Sequence, residues 1–169
     1  MTFSIKFGRL LKNSNGLRIL LVQSFILLHI KESCFMKSDR LSVVRSWFKK
    51  AENDLTNAEH TMKMENPPCD TVCFHAQQCA EKYLKGFLPF HEIDFPKTHS
   101  VEELVRLCKN VVPSIESEVG VVEILSSYGV EIRYPDEVYY DIPKEDAREA
   151  IDLAKRVKVV VLKLLEGIM

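Results

Sequence analysis

Glycine and proline are scarce in this chain of 169 residues, 6 and 7 respectively, which excludes collagen-like and linker-like compositions. No apolar run reaches the ~20 residues that a membrane-spanning helix needs. There is no excess of either charge: 23 basic residues face 24 acidic ones, for a formal net charge of -1, so no global field attracts nucleic acid and any such contact requires a local patch. Paired cysteine motifs are also missing. Cys34, Cys69, Cys73, Cys79 and Cys108 are odd in number and contain no CxxC, which argues against a disulfide framework and a zinc knuckle. They read as reduced, mostly buried thiols in a cytosol. Cys69 and Cys73 are one helical turn apart, but no other ligand cluster sits at a suitable spacing, so neither a metal nor a cofactor is expected.

What is present is 46% hydrophobic and 28% charged residues, enough for one globular domain with a single core. The greasiest stretch, LRILLVQSFILLHI at residues 17–30, has the basic residues Lys6, Arg9, Lys12 and Arg18 at its start. No small-x-small cleavage site follows it, so it makes a poor secretory signal. Two readings of the first 36 residues stand: translation begins at Met36, where MKSDRLSVVRSW opens into helical periodicity, or the segment is an extension that caps the domain. The expected division is therefore 1–36 as an extension and 37–169 as a cytoplasmic domain without membrane contact.

From Ser38 onward Leu41, Val44, Phe48, Ala51, Leu55, Ala58 and Met62 recur every three or four residues, one stripe of a helix that Asn66-Pro67-Pro68 ends. Asp70 is the expected N-cap of a second helix with Val72, Ala76, Cys79, Ala80, Tyr83 and Phe87 on one face, interrupted at Pro89. After the loop FHEIDFPKTHS, Ser100 and Glu103 form a capping box for a third helix carrying Val101, Leu104, Val105 and Cys108. A fourth is expected from about Ser114 to Tyr128. Pro143, Glu145 and Asp146 open a last helix with Ala147, Ile151, Ala154, Val157, Val161 and Leu164. Sustained period-two alternation is absent throughout. The expectation is an all-α, antiparallel up-and-down bundle of about five helices with no sheet.

Two stretches carry polar chemistry. In helix two, His75, Gln78, Lys82 and Lys85 fall at offsets 0, 3, 7 and 10, a single cationic ridge beside the apolar face. It is either a phosphate-binding surface or a solvated face with snorkelling lysines. Lys97-Thr98-His99 precedes a helix N-terminus, where backbone N–H groups and the dipole favour an anion.

The segments AENDLTNAEH, CFHAQQCAEKYLKGFL, PKTHSVEEL and RYPDE, in this order between Val43 and Leu165, resemble the HEPN domains of prokaryotes, which are also found attached to larger eukaryotic proteins. The resemblance implies a helical bundle that pairs as a homodimer and an operon partner of the minimal nucleotidyltransferase class. It also raises ribonuclease chemistry. Many HEPN proteins use an arginine followed, four to six residues later, by a histidine: the arginine stabilises charge on the attacked phosphate and the histidine moves protons. Here Arg133 matches the arginine, but Val138, Tyr139 and Tyr140 stand where the histidine belongs. A phenol, with an ordinary pKa near ~10, is a poor base at neutral pH beside an imidazole near ~6.5. The imidazole would then come from His75 or His99.

The stretch YGVEIRYPDEVYYDIP, Tyr128 to Pro143, is accordingly read as the ligand-facing edge, with Arg133 for a phosphate and Tyr134 and Tyr139 to stack or pack. In the alternative, Arg133 pairs with Asp136 or Glu137 and the tyrosines plug the bundle end. Three functions follow: a nucleotide- or RNA-binding HEPN protein acting with a nucleotidyltransferase in a toxin–antitoxin-like system, an endoribonuclease toxin with a relocated base, or a structural interaction bundle.

Overall fold

The computed structural model describes residues 39–130 and 141–166. The chain divides into two compact units, Met1–Asp39 and Arg40–Met169, and the architecture described here is that of the second. Residues 39–62 form α1; α2 is Cys69–Phe90, α3 Val101–Lys109, α4 Ile115–Val119, α5 Glu123–Val130 and α6 Lys144–Leu164. Among the described residues there is no strand, and no helix is long and apolar enough to cross a membrane.

Ion pairs and hydrogen bonds fix the directions of the long helices. Along α1, Arg40 meets Glu92, Glu52 meets Tyr83, and Asp54 meets Lys82 and His75, so rising numbers on one helix meet falling numbers on the other. The same holds against α6: Glu52 pairs with Lys158 at 2.7 Å, Glu59 with Lys155 at 2.8 Å, and the Glu65 carbonyl accepts from Lys144 at 2.7 Å. With α1 antiparallel to both, α2 and α6 run the same way side by side. The three short helices fill the connection between them.

The apolar stripes read from spacing are buried as expected: Val44, Phe48, Ala51, Leu55 and Ala58 on α1, and Ala147, Ile151, Ala154, Val157 and Val161 on α6. On α2 burial extends well beyond the one predicted face, to Cys73, Gln77, Glu81, Leu84, Lys85 and Leu88, because this helix lies at the centre. Close approach there depends on Gly86: a Cβ at this position would lie 2.6 Å from Phe48 Cε1 and 3.2 Å from Trp47 Cβ. Side chains such as Leu84 and Phe87, fully withdrawn from water, contribute roughly 1.5–3 kcal/mol each before entropy is counted.

Three local expectations are corrected. The cap of α2 is Pro68, which offers no side-chain hydrogen bond, while Asp70 sits inside the first turn and accepts from the Thr71 N–H at 2.6 Å. Pro89 does not end α2; the helix runs on to Phe90, since a proline in the last turn removes one donor while buried Leu88 and Phe87 hold the chain in place. The expected fourth helix is two, α4 and α5, broken at Gly120, whose φ of 79° lies in the left-handed region that favours glycine. The described residues thus form six helices and no sheet, the all-α bundle of about five helices that was expected.

Candidate functional site

Ser100 caps α3 as predicted, its Oγ accepting from the Glu103 N–H at 3.1 Å. The other amides of this first turn are also engaged. Val101 and Glu102 donate to Ser126 Oγ at 3.1 and 3.4 Å, and Ser100 donates to Thr98 Oγ1 at 3.1 Å. The helix end expected to offer open donors to an anion is thus closed by side chains. Lys97, just before it, is exposed.

The residues of the predicted ridge divide between two carboxylates instead of facing solvent as one stripe. His75 Nδ1 lies 3.0 Å from Asp54 Oδ1, and Lys82 pairs with the other Asp54 oxygen. Gln78 and Lys85 turn to Glu81. This second carboxylate is the better enclosed, its side chain 4% exposed. It accepts from Gln77 Nε2 at 2.8 Å, Lys85 Nζ at 2.8 Å and Gln78 Nε2 at 3.3 Å, and His99 Nδ1 stands 3.2 Å from Oε2. Lys85 also donates to the Thr98 carbonyl at 2.6 Å, and Gln77 to the His99 carbonyl at 3.0 Å. Gln77, Glu81 and Lys85, one turn apart and all buried, thereby pin the loop before α3 to α2.

Burial pushes the Glu81 carboxyl up, but hydrogen bonds from Lys85 and Gln77, the Lys85 charge and the His99 hydrogen bond outweigh it and hold the group below the usual carboxylate range. Glu81 is therefore ionised at neutral pH and can only accept. The thiols of Cys73, Cys79 and Cys108 are pushed up to about 12, chiefly by burial, so they hold their protons and supply no nucleophile at neutral pH. All four described cysteines are free, and no group of three or more His, Cys, Asp or Glu among the described residues is arranged to hold a metal.

His75 and His99 are held by different carboxylates, so the two candidate imidazoles belong to separate clusters. Arg133, Tyr134 and Tyr139 lie outside the described residues. Tyr128, on α5, packs against the core, and its hydroxyl is pushed up to about 12, first by burial and then by Cys73, Asp146 and Glu149. Gln77 and Glu81 were absent from the sequence-based candidates, although Gln77, Glu81 and Lys85 at i, i+4 and i+8 carried the signal. Near this cluster α5 ends: a Cβ on Gly129 would lie 3.0 Å from Gln77 Nε2.

The HEPN domain family model matches residues 44–164. A Methanocaldococcus jannaschii protein named "Putative toxin MJ1304" is 29% identical over 143 residues, which cover 75% of this chain and 90% of that one. The crystal structure of ST0689, an archaeal HEPN homologue, is similar with a TM-score of 0.53 and 28% identity, over 73% of this chain and 98% of its own. The crystal structure of TT1696 from Thermus thermophilus gives 0.55 and 25%, over 71% and 96%.

Proposed function

The chain belongs to the HEPN domain family, and on that premise we propose that it is a toxin-like HEPN protein that binds a phosphate-bearing ligand, a nucleotide or an RNA segment, and acts with a partner of the minimal nucleotidyltransferase class. The toxin-like part is supported by its likeness to the named archaeal protein. The observation that carries the ligand site is the seating of Gly129 on Gln77. It brings the end of α5 to the Glu81 cluster, and Arg133 follows Val130 by only three positions, a chain reach of about 11 Å. Arg133 supplies a planar fork for a phosphate, and Tyr134 and Tyr139 supply stacking surfaces for a base. Lys82 and Lys85, already paired with Asp54 and Glu81, add little net charge, which leaves Arg133 and exposed Lys97 as the effective cations.

Calorimetric titration with a nucleoside triphosphate and with a short single-stranded RNA tests this. Arg133→Ala should weaken binding at least ~10-fold, the loss of a charge-assisted contact of about 1.5–3 kcal/mol, and Arg133→Lys should recover only part. The melting temperature should not move. An alanine variant that melts earlier, with affinity following only its folded fraction, would return Arg133 to a structural ion pair and end the assignment.

The same reading includes a homodimer, on the family resemblance and the tyrosine-rich end that begins at Tyr128. Light scattering should report twice the chain mass of 19.5 kDa at micromolar concentration. A monomer there would remove the dimer from the proposal.

A further inference from the structure

At the end of α2 the His91 ring is half-buried, its centroid 4.4 Å from that of Phe87 and 5.0 Å from that of Phe90. Among the described residues its Nε2 is the single buried side-chain nitrogen or oxygen without a hydrogen-bond partner. A neutral imidazole can keep a bare lone pair there. Protonation would place a donor and much of a positive charge in the same spot, against hydrocarbon rings and with no acceptor. The charged groups of the surrounding elements offer no compensation: Arg40 of α1 is paired with Glu92, Lys85 of α2 is turned to Glu81, and Asp94 in the loop and Lys163 and Glu166 at the end of α6 are exposed. Burial alone accordingly holds the ring below its ordinary value of 6.5.

The same residue starts the loop that runs to α3. The His91 and Ile93 amides both donate to the Leu88 carbonyl at 3.0 Å, and between them Glu92 has a φ of 60°, in the left-handed region that is uncommon for a residue with a Cβ. The turn therefore depends on how its neighbours pack. The far end of the loop is pinned independently, by Lys85 on the Thr98 carbonyl and Gln77 on the His99 carbonyl.

We propose that His91 is an acid-sensitive latch: once protonated it leaves its place beside Phe87 and Phe90 and frees the turn at residues 91–93, so that the loop carrying Lys97 loosens from the end of α2. The device goes beyond the binding reading above and needs no ligand to operate. Its sign follows from the two forms of the turn. The open form has an ordinary imidazole and the closed form a lowered one, so the closed form is fully stabilised above 6.5 and loses that advantage as pH falls from 6.5 toward the lower value.

NMR of the full chain tests this by following the His91 ring and the Ile93 amide between about pH 8 and pH 5. The ring should titrate below 6.5, and the opening constant of the Ile93 amide, from hydrogen exchange corrected for its intrinsic pH dependence, should rise at least ~3-fold toward pH 5. His91→Phe, which keeps an aromatic ring and removes the titration, should hold the amide equally closed throughout. A ring that titrates at 6.5 or above, as aromatic faces holding an imidazolium would produce, overturns the proposal. So does an Ile93 opening constant that rises equally in both proteins, or in neither. Should His91→Phe fail to fold, the unaltered protein decides alone: coincident midpoints for ring and amide support the latch, and an amide unmoved through the titration of the ring overturns it. Because no ligand enters the measurement, the latch and the binding reading stand or fall separately.

Discussion

Glu81→Leu is expected to destabilise the domain by about 3–5 kcal/mol at neutral pH, the scale for removing one partner of a buried ion pair. The leucine leaves the Lys85 ammonium, itself 9% exposed, without its counter-charge, and strips the acceptor from Gln77, Gln78 and His99. Urea unfolding of both proteins measures the difference. Its pH dependence has a definite sign. The Glu81 carboxyl is held below its ordinary value of 4.5, so its contribution is complete above that value and is lost as pH falls through the lower folded-state value. The gap between the two proteins should therefore be full at pH 7 and narrow below 4.5. Glu81→Leu combined with Lys85→Leu should recover much of the loss, because no charge then remains buried. A single variant that loses less than about 1 kcal/mol would show that the cluster contributes little to stability.

Gly86→Val should be the other costly change, at about 1–3 kcal/mol or more. Its Cβ would overlap the Phe48 ring, which is itself confined at 5.0 Å from the Tyr83 ring. Gly86→Ala should lose less, since alanine regains roughly 1 kcal/mol of helix propensity over glycine. Adding Phe48→Leu to Gly86→Val should restore part of the stability, a coupling that thermal or urea melts of the four proteins resolve as a double-mutant cycle. Unchanged stability in Gly86→Val would mean that α1 and α2 can separate here at no cost.

The long helices were legible in the sequence because α1 and α6 each bury a single stripe, and a 3.6-residue period records one buried face well. On α2 the same stripe was found, but the helix is covered on several sides, and a period cannot report how many neighbours a helix has. The polar residues show the corresponding gap. Spacing placed His75, Gln78, Lys82 and Lys85 on neighbouring turns; what stands opposite them, Asp54 from α1 and the Thr98–His99 backbone, is set by tertiary packing. Glu81 is hard to single out in the sequence, where an acidic residue inside a basic ridge looks like an interruption, although Lys85, Gln78 and His99 converge on it. Helix ends were the least legible. Packing of Phe87 and Leu88 carried α2 past Pro89, while Gly120 split a segment whose composition looked continuous.

Because α2 and α6 lie parallel, the chain must cross back through α3, α4 and α5 before the two can meet. The contacts that close the domain are remote in sequence: Glu52 and Lys158 are 106 residues apart, and Glu65 and Lys144 are 79 apart. Such closure forfeits much chain entropy before it gains any packing, a cost that short-range helix pairing avoids and that weighs against fast folding. During synthesis α1 and α2 leave the ribosome with the surfaces meant for Ala147, Ile151, Ala154 and Val157 still uncovered. Until its last helix emerges, the nascent chain keeps this apolar surface exposed to water.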